Sequence, residues 1–213
     1  MSGAQTSNSA NSRLPELTVY AVNGIVPVVD PSTFVHPTAV LIGDVIVGPN
    51  CFIGPNASLR GDFGRIVVGA GVNIQDSCCV HGSCNDTIVG DDAHIGHGAV
   101  IHACELKRNV LIGINSTIMD LAEIGESAIV TANAFVKIGD KVAPRTLVGG
   151  IPAKFIKELS EQDLVKKVNG TSVYHQLVGR CHETMTACEP LAAEEPGRQR
   201  MTFAESGLYT GVE

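Results

Sequence analysis

The chain contains no tryptophan, and aromatic residues fill only 4% of its 213 positions. Large rings normally dominate a thick globular core, so their scarcity points to a narrow interior. Positive charge is also short. Fifteen Lys and Arg against 22 Asp and Glu leave a formal charge of −7, with no electrostatic footprint for nucleic acid. No apolar run approaches the length of a membrane span, and no signal peptide precedes the first apolar segment, so a cytoplasmic protein without a membrane partner is expected. The seven cysteines (51, 78, 79, 84, 104, 181 and 188) form no C-x-x-C pair, which removes the usual zinc–thiolate spacing. Their odd number suits free thiols in a reducing compartment, with Cys51, Cys78 and Cys84 in small-residue positions of the pattern described next.

A six-residue phase is what the chain does have. Aliphatic residues recur at Val35, Leu41, Val47, Ile53 and Leu59, then after a three-residue skip at Val68, Ile74 and Val80. A second skip leads to Val89, Ile95 and Ile101. With one residue dropped, Leu106, Ile112, Ile118, Ile124, Val130, Val136, Val142 and Val148 complete the series. Small or β-branched residues sit four places after each, and Gly, Pro, Asn and Asp lie between as turn formers. A hexapeptide period predicts a parallel β-helix in which three hexapeptides make one triangular coil of roughly 18 residues. The fold expected is mainly β, about six such coils, with α-helices packed on it at the C-terminus.

Domain boundaries follow from where the phase starts and stops: a disordered tail at 1–16, the β-helix at 17–152, helices at 153–188 and an extended tail at 189–213. Ser160 with Asp163 resembles a capping box. One helix is expected from there to about Val168 and another from about Thr171 to Ala187, broken at Asn169-Gly170. Val173, Leu177, Val178 and Met185 would face the solenoid.

The phase also places polar side chains. His81 and His102 are each second in a hexapeptide, and His97 is third in the one before His102. One coil plus the skip separates His81 from His102, so they stack on one face and point outward, with Arg60 a coil below. Asp76 lies below His97, and Gln75 is beside it. Two stacked imidazoles suit a zinc ion. His97 belongs to another face and would complete a three-histidine site only from a neighbouring prism, which predicts a homotrimer with metal sites at its interfaces. Arg60 with Asp62 or Asp76 reads as an interface ion pair. The bland alternative, histidines that merely hydrogen-bond at an interface, stays open at this point.

Arg60-Gly61-Asp62, Asn73-Ile74-Gln75-Asp76, Val80-His81-Gly82 and His97-Gly98-Ala99-Val100-Ile101-His102 together resemble the γ-class carbonic anhydrase family. Within it, Val40–Val45, Ala57–Val67 and Gly96–Ala99 are similar to the PaaY family of phenylacetate degradation and the related CaiE carnitine-operon group, over about Leu17 to Arg200. Glu189-Pro190-Leu191 and Glu195–Arg198 match the former in particular. The resemblance implies a left-handed coil, a trimer, and Zn2+ (or Fe2+ or Co2+) on His81, His102 and a neighbour's His97. It implies an interface role for Arg60, Asp62 and Asp76, and a solvent-orienting role for Gln75. It further implies a thioesterase acting on acyl-CoA in phenylacetate catabolism, with carbonic anhydrase as the alternative, then a metal-free acyltransferase or a non-catalytic trimeric accessory protein. Two departures count against fast CO2 hydration. Phe63 follows Asp62 where the family has a glutamate, and the loop Ser83–Asp86 is short with one carboxylate. Asp86 is the stand-in proton acceptor, Tyr174 a further candidate catalytic residue, and Lys137, Lys141, Arg145, Lys154 and Lys157 candidate phosphate contacts.

Overall fold

A computed structural model describes residues 14–199. Three ladders of parallel strands carry the six-residue phase. Val19, Leu41, Leu59, Val80, Ile101, Ile118 and Val136 stack in the first. Val29, Val47, Val68, Val89, Leu106, Ile124 and Val142 stack in the second. Val35, Ile53, Ile74, Ile95, Ile112, Val130 and Val148 stack in the third. The solenoid therefore has about 7 turns rather than six. The extra turn is completed by Thr18–Tyr20 and Val28–Val29 ahead of Val35, with a step of ten residues from Val19 to Val29 where the repeat has six. Between the first two ladders the chain runs on in single long strands, Val40–Val47 and Ser58–Val68.

The inward positions form one continuous column of Leu, Ile, Val, Ala and Cys, most of it inaccessible to solvent. Each buried Leu or Ile contributes about 1.5–3 kcal/mol on leaving water. The turns work because Asn50, Asn56, Asn109, Asn115 and Asn133 hold φ between 54° and 58°. Asn tolerates that left-handed conformation better than most residues. Cys51 and Cys78 are buried as expected, but Cys84 is exposed on its loop, outside the repeat.

Beyond the last rung, Lys154–Glu158 forms an exposed strand antiparallel to Thr146–Gly149, where helix was expected. One continuous helix follows, Glu161–Thr184, and it passes through Asn169-Gly170 without a break. Its inner face is Lys167, Thr171, Tyr174, Val178 and Cys181, spaced four and three apart. That face lies on Phe34 and Phe52, stacked at 5.7 Å. Val178 and Leu177 take part as foreseen, whereas Met185 is exposed. Lys167 is buried and donates to the Asp92 carbonyl and Asn109 Oδ1, each at 2.6 Å. Burial brings its pKa down to about 8. Among the described residues no helix is long and apolar enough to cross a membrane. Residues 189–199 contain only turns and bends; the predicted tails at 1–13 and 200–213 lie outside the described residues.

The capping box forms as read. Asp163 N–H donates to Ser160 Oγ at 3.2 Å, and Ser160 N–H donates back to Asp163 Oδ2 at 3.0 Å. Hydrogen bonds from Lys157 and then Ser160 lower the Asp163 carboxyl to about 2. A depressed carboxylate stabilises the fold above its unfolded pKa of about 4, and that contribution is lost as pH falls through the folded value. The helix start is therefore expected to fray between about pH 4 and about pH 2. Far-UV ellipticity over that window should drop in the wild type, and Asp163→Asn should flatten the response.

A carboxylate-backed histidine pair as the candidate functional site

His81 and His102 occupy adjacent rungs in direct register, with Arg60 one rung below His81. Local packing fixes them. The Thr87 hydroxyl donates to the His81 carbonyl at 2.8 Å. Gly82 crosses the backbone of Gly64 so closely that a Cβ there would lie 2.1 Å from the Gly64 carbonyl oxygen. His81 points outward yet is only 9% exposed, because Asp62, Phe63 and His102 surround it.

Each ring has one nitrogen on a carboxylate. His81 Nε2 meets Asp62 Oδ1 at 3.1 Å, and His102 Nδ1 meets Asp120 Oδ2 at 2.9 Å. Arg60 Nη1 donates to both Asp62 oxygens, at 2.9 and 2.7 Å. Ser83 Oγ donates to Asp120 Oδ1 at 3.1 Å. Burial alone would raise both carboxyls. Arg60 and His81 outweigh it at Asp62, and a backbone N–H, Ser83 and His102 outweigh it at Asp120, so both lie below the ordinary carboxylate value. Ionised carboxylates take the ring protons. The remaining nitrogens, His81 Nδ1 and His102 Nε2, then face each other at 3.1 Å as two acceptors.

Two lone pairs at that distance repel unless a cation or a shared proton lies between them. Two metal–nitrogen bonds of about 2.0–2.1 Å at a tetrahedral angle span about 3.3 Å, and carboxylate-backed imidazoles are the usual setting of such ligands. The donor set thus fits a divalent ion. Among the described residues of one chain, no three His, Cys, Asp or Glu side chains converge to hold one.

His97 is built the same way, with Nδ1 at 3.2 Å from Asp76 Oδ2 directly below it, as the register reading placed them. It is half exposed, with Nε2 left over. Gln75 is 4% exposed, and both of its amide protons are engaged. Its Oε1 accepts the His97 backbone N–H at 3.1 Å, and its amide donates to His94 Nε2 at 3.1 Å and to the Tyr174 hydroxyl. Tyr174 thus reaches Gln75, but Gln75 has no proton left for a developing oxyanion. Asp86 stays exposed on its loop, without a hydrogen bond or ion pair to either paired histidine.

The description bacterial transferase hexapeptide (six repeats) matches residues 27–61. Over 186 residues the chain is 52% identical to the carnitine operon protein CaiE of Escherichia coli K12, covering 87% of this chain and 95% of CaiE. It belongs to the hexapeptide-repeat family. A Bacillus cereus protein called a candidate acetyltransferase shares 34% identity at a TM-score of 0.77, over 78% of this chain and 98% of that one. A hexapeptide transferase family protein from Anaplasma phagocytophilum shares 34% at 0.74, over 76% and 97%.

In this hexapeptide-repeat protein the basic cluster considered for phosphate contact is mostly neutralised internally. Lys137 pairs with Asp140 at 3.4 Å, Lys141 with Glu123 at 3.5 Å, Lys157 with Asp163 at 2.8 Å, and Arg145 with Glu161. Among the described residues of that cluster, Lys154 alone carries no ion pair. Sequence reasoning missed Asp120, which reaches His102 from the coil above.

Proposed function

We propose that this protein is a metal-dependent hydrolase of CoA thioesters, a PaaY-like thioesterase working as a cytoplasmic homotrimer of left-handed, triangular β-helices. The observation that carries the reading is the arrangement of His81, His97 and His102, each with one ring nitrogen on an aspartate and the other left to ligate. His81 and His102 of one subunit and a neighbour's His97 would hold Zn2+ or Fe2+. When bound, such an ion supplies a Lewis acid and lowers the pKa of its water toward about 7.

The chain's own groups then have defined tasks. Asp62, Asp76 and Asp120 fix the tautomers, and the Asp62 and Asp120 carboxyls, held below the ordinary value, orient rather than donate protons. Gln75 offers only an Oε1 lone pair, so it accepts from a water or N–H donor. Phe63, 77% exposed with its ring centroid 6.1 Å from that of His81, offers an apolar wall for an acyl group and displaces the proton-carrying glutamate that CO2 hydration favours. An acyl-CoA substrate is in keeping with the acyl-transfer names of the relatives. Those names also keep metal-free acyl transfer as the second reading, with CO2 hydration behind it. Seven free thiols agree with a reducing compartment.

One preparation tests all three. Its metal per subunit should be near unity, and arylacyl-CoA hydrolysis should exceed both CO2 hydration and acyl transfer to amines. Metal-free trimers with undiminished acyl transfer would sink the proposal.

A further inference from the structure

Gln75 raises a question of hydrogen-bond sense. A carboxamide can present either its oxygen or its amide to a reacting centre, and the two are sterically equivalent. The neighbours decide. His97 N–H must meet an acceptor, and it meets Gln75 Oε1 at 3.1 Å. On the far side, Gln75 Nε2 needs acceptors for two protons and finds His94 Nε2 and the Tyr174 hydroxyl. Tyrosine can donate as well as accept, so it does not discriminate. An imidazole nitrogen does, according to its tautomer.

Resting on the reading that Gln75 borders the reacting centre, we propose that His94 is a positioning residue. It is held as the neutral tautomer with Nε2 bare, and so it locks Gln75 with its oxygen toward the His97 side. Three observations support this. His94 sits in the third ladder between Asn73 and Leu111, beneath the C-terminal helix, with the Tyr174 ring edge-on at 5.1 Å. Burial, then the nearby Lys167 and His97, lowers its pKa to about 4, so it does not become a double donor near neutrality. Asn73 is fully buried, and neither its Oδ1 nor its Nδ2 has a partner. Its oxygen is thus an unoccupied acceptor on the adjacent rung, in direct register with His94. The C-terminal helix thereby acts on the site through Tyr174, His94 and Gln75, and the site is selective for a hydrogen-bond donor at Gln75.

The test uses the full-length protein with labelled His and Gln side chains, before and after loading with zinc alone. Nitrogen NMR shifts of His94 should report a protonated Nδ1 and a bare Nε2 near neutral pH. The Gln75 amide protons, assigned by their loss in Gln75→Glu, should be protected from solvent exchange. His94→Gln restores an acceptor oxygen and should keep that protection. His94→Phe keeps the bulk without the acceptor and should lower protection by about tenfold, the scale of one hydrogen bond. Thioester kcat should fall by a similar factor with KM and zinc content unchanged. A proton on Nε2, or equal protection in all three proteins, overturns the proposal. So does a folded His94→Gln that behaves as His94→Phe. If the wild type binds no metal and hydrolyses no thioester, the proposed function fails, while the tautomer and exchange results still decide the role of His94.

Discussion

Co-assembly of His81→Ala with His97→Ala is expected to recover roughly a quarter of wild-type activity and bound metal, although each variant alone has almost none. His81 and His102 share one face, and His97 lies one ladder corner away on Asp76, so the proposed three-histidine set would draw on two subunits. A site is whole when a subunit with intact His81 meets a neighbour with intact His97. About three quarters of randomly assembled trimers contain both kinds of subunit, and each has one whole site of three. Mixed trimers, isolated through different affinity tags, should therefore carry about one metal each. Mixed trimers with no metal and no activity would rule out a site shared between subunits. Full activity in His97→Ala alone would remove His97 from the ligand set.

The stacking of His81 on His102 is legible in the sequence, because the phase resumes at Val89 after a three-residue skip and so sets Ile101 one coil above Val80. Inward Val80 and Ile101 fix the rung, and the next residue must point out. Asp120 was not readable by the same counting. It lies third in its hexapeptide and reaches diagonally to a second-position histidine on the coil below, a contact set by side-chain reach. The sense of Gln75 was likewise hidden, since its partners come from a helix whose docking the repeat does not encode. Slot counting orders groups along the solenoid and is silent on what packs against its flank.

Elsewhere the misreadings have local causes. Asn169-Gly170 is a strong turn signal by propensity, yet buried Lys167 on one side and Thr171 on the other tie both halves to the solenoid, and packing overrides a cost of about 1 kcal/mol for the glycine. Lys154–Glu158 went unseen because every residue in it is exposed, so it shows no apolar alternation. The first turn was hidden by the long excursion between Tyr20 and Val28, which breaks the period that marks all later turns.

Ile101→Ala is expected to destabilise the subunit by about 3–4 kcal/mol, against about 1 kcal/mol for Ile101→Val. Ile101 is inaccessible to solvent and sits between Val80 and Ile118 in the first ladder. In a globular core, neighbours can shift into such a vacancy. Here Val80 and Ile118 are held at their rungs by ladder hydrogen bonds, so the cavity stays open and the cost lies high in the range. The loss should spread to the site, because His102 follows Ile101 directly and its pairing with His81 relies on the rung spacing. Denaturant unfolding at fixed protomer concentration measures the first effect, since association contributes to apparent stability. Zinc titration of the same variants measures the second. If alanine costs no more than valine and zinc affinity is unchanged, the column relaxes freely around a missing side chain. The six-residue phase would then not be what holds the histidines in register.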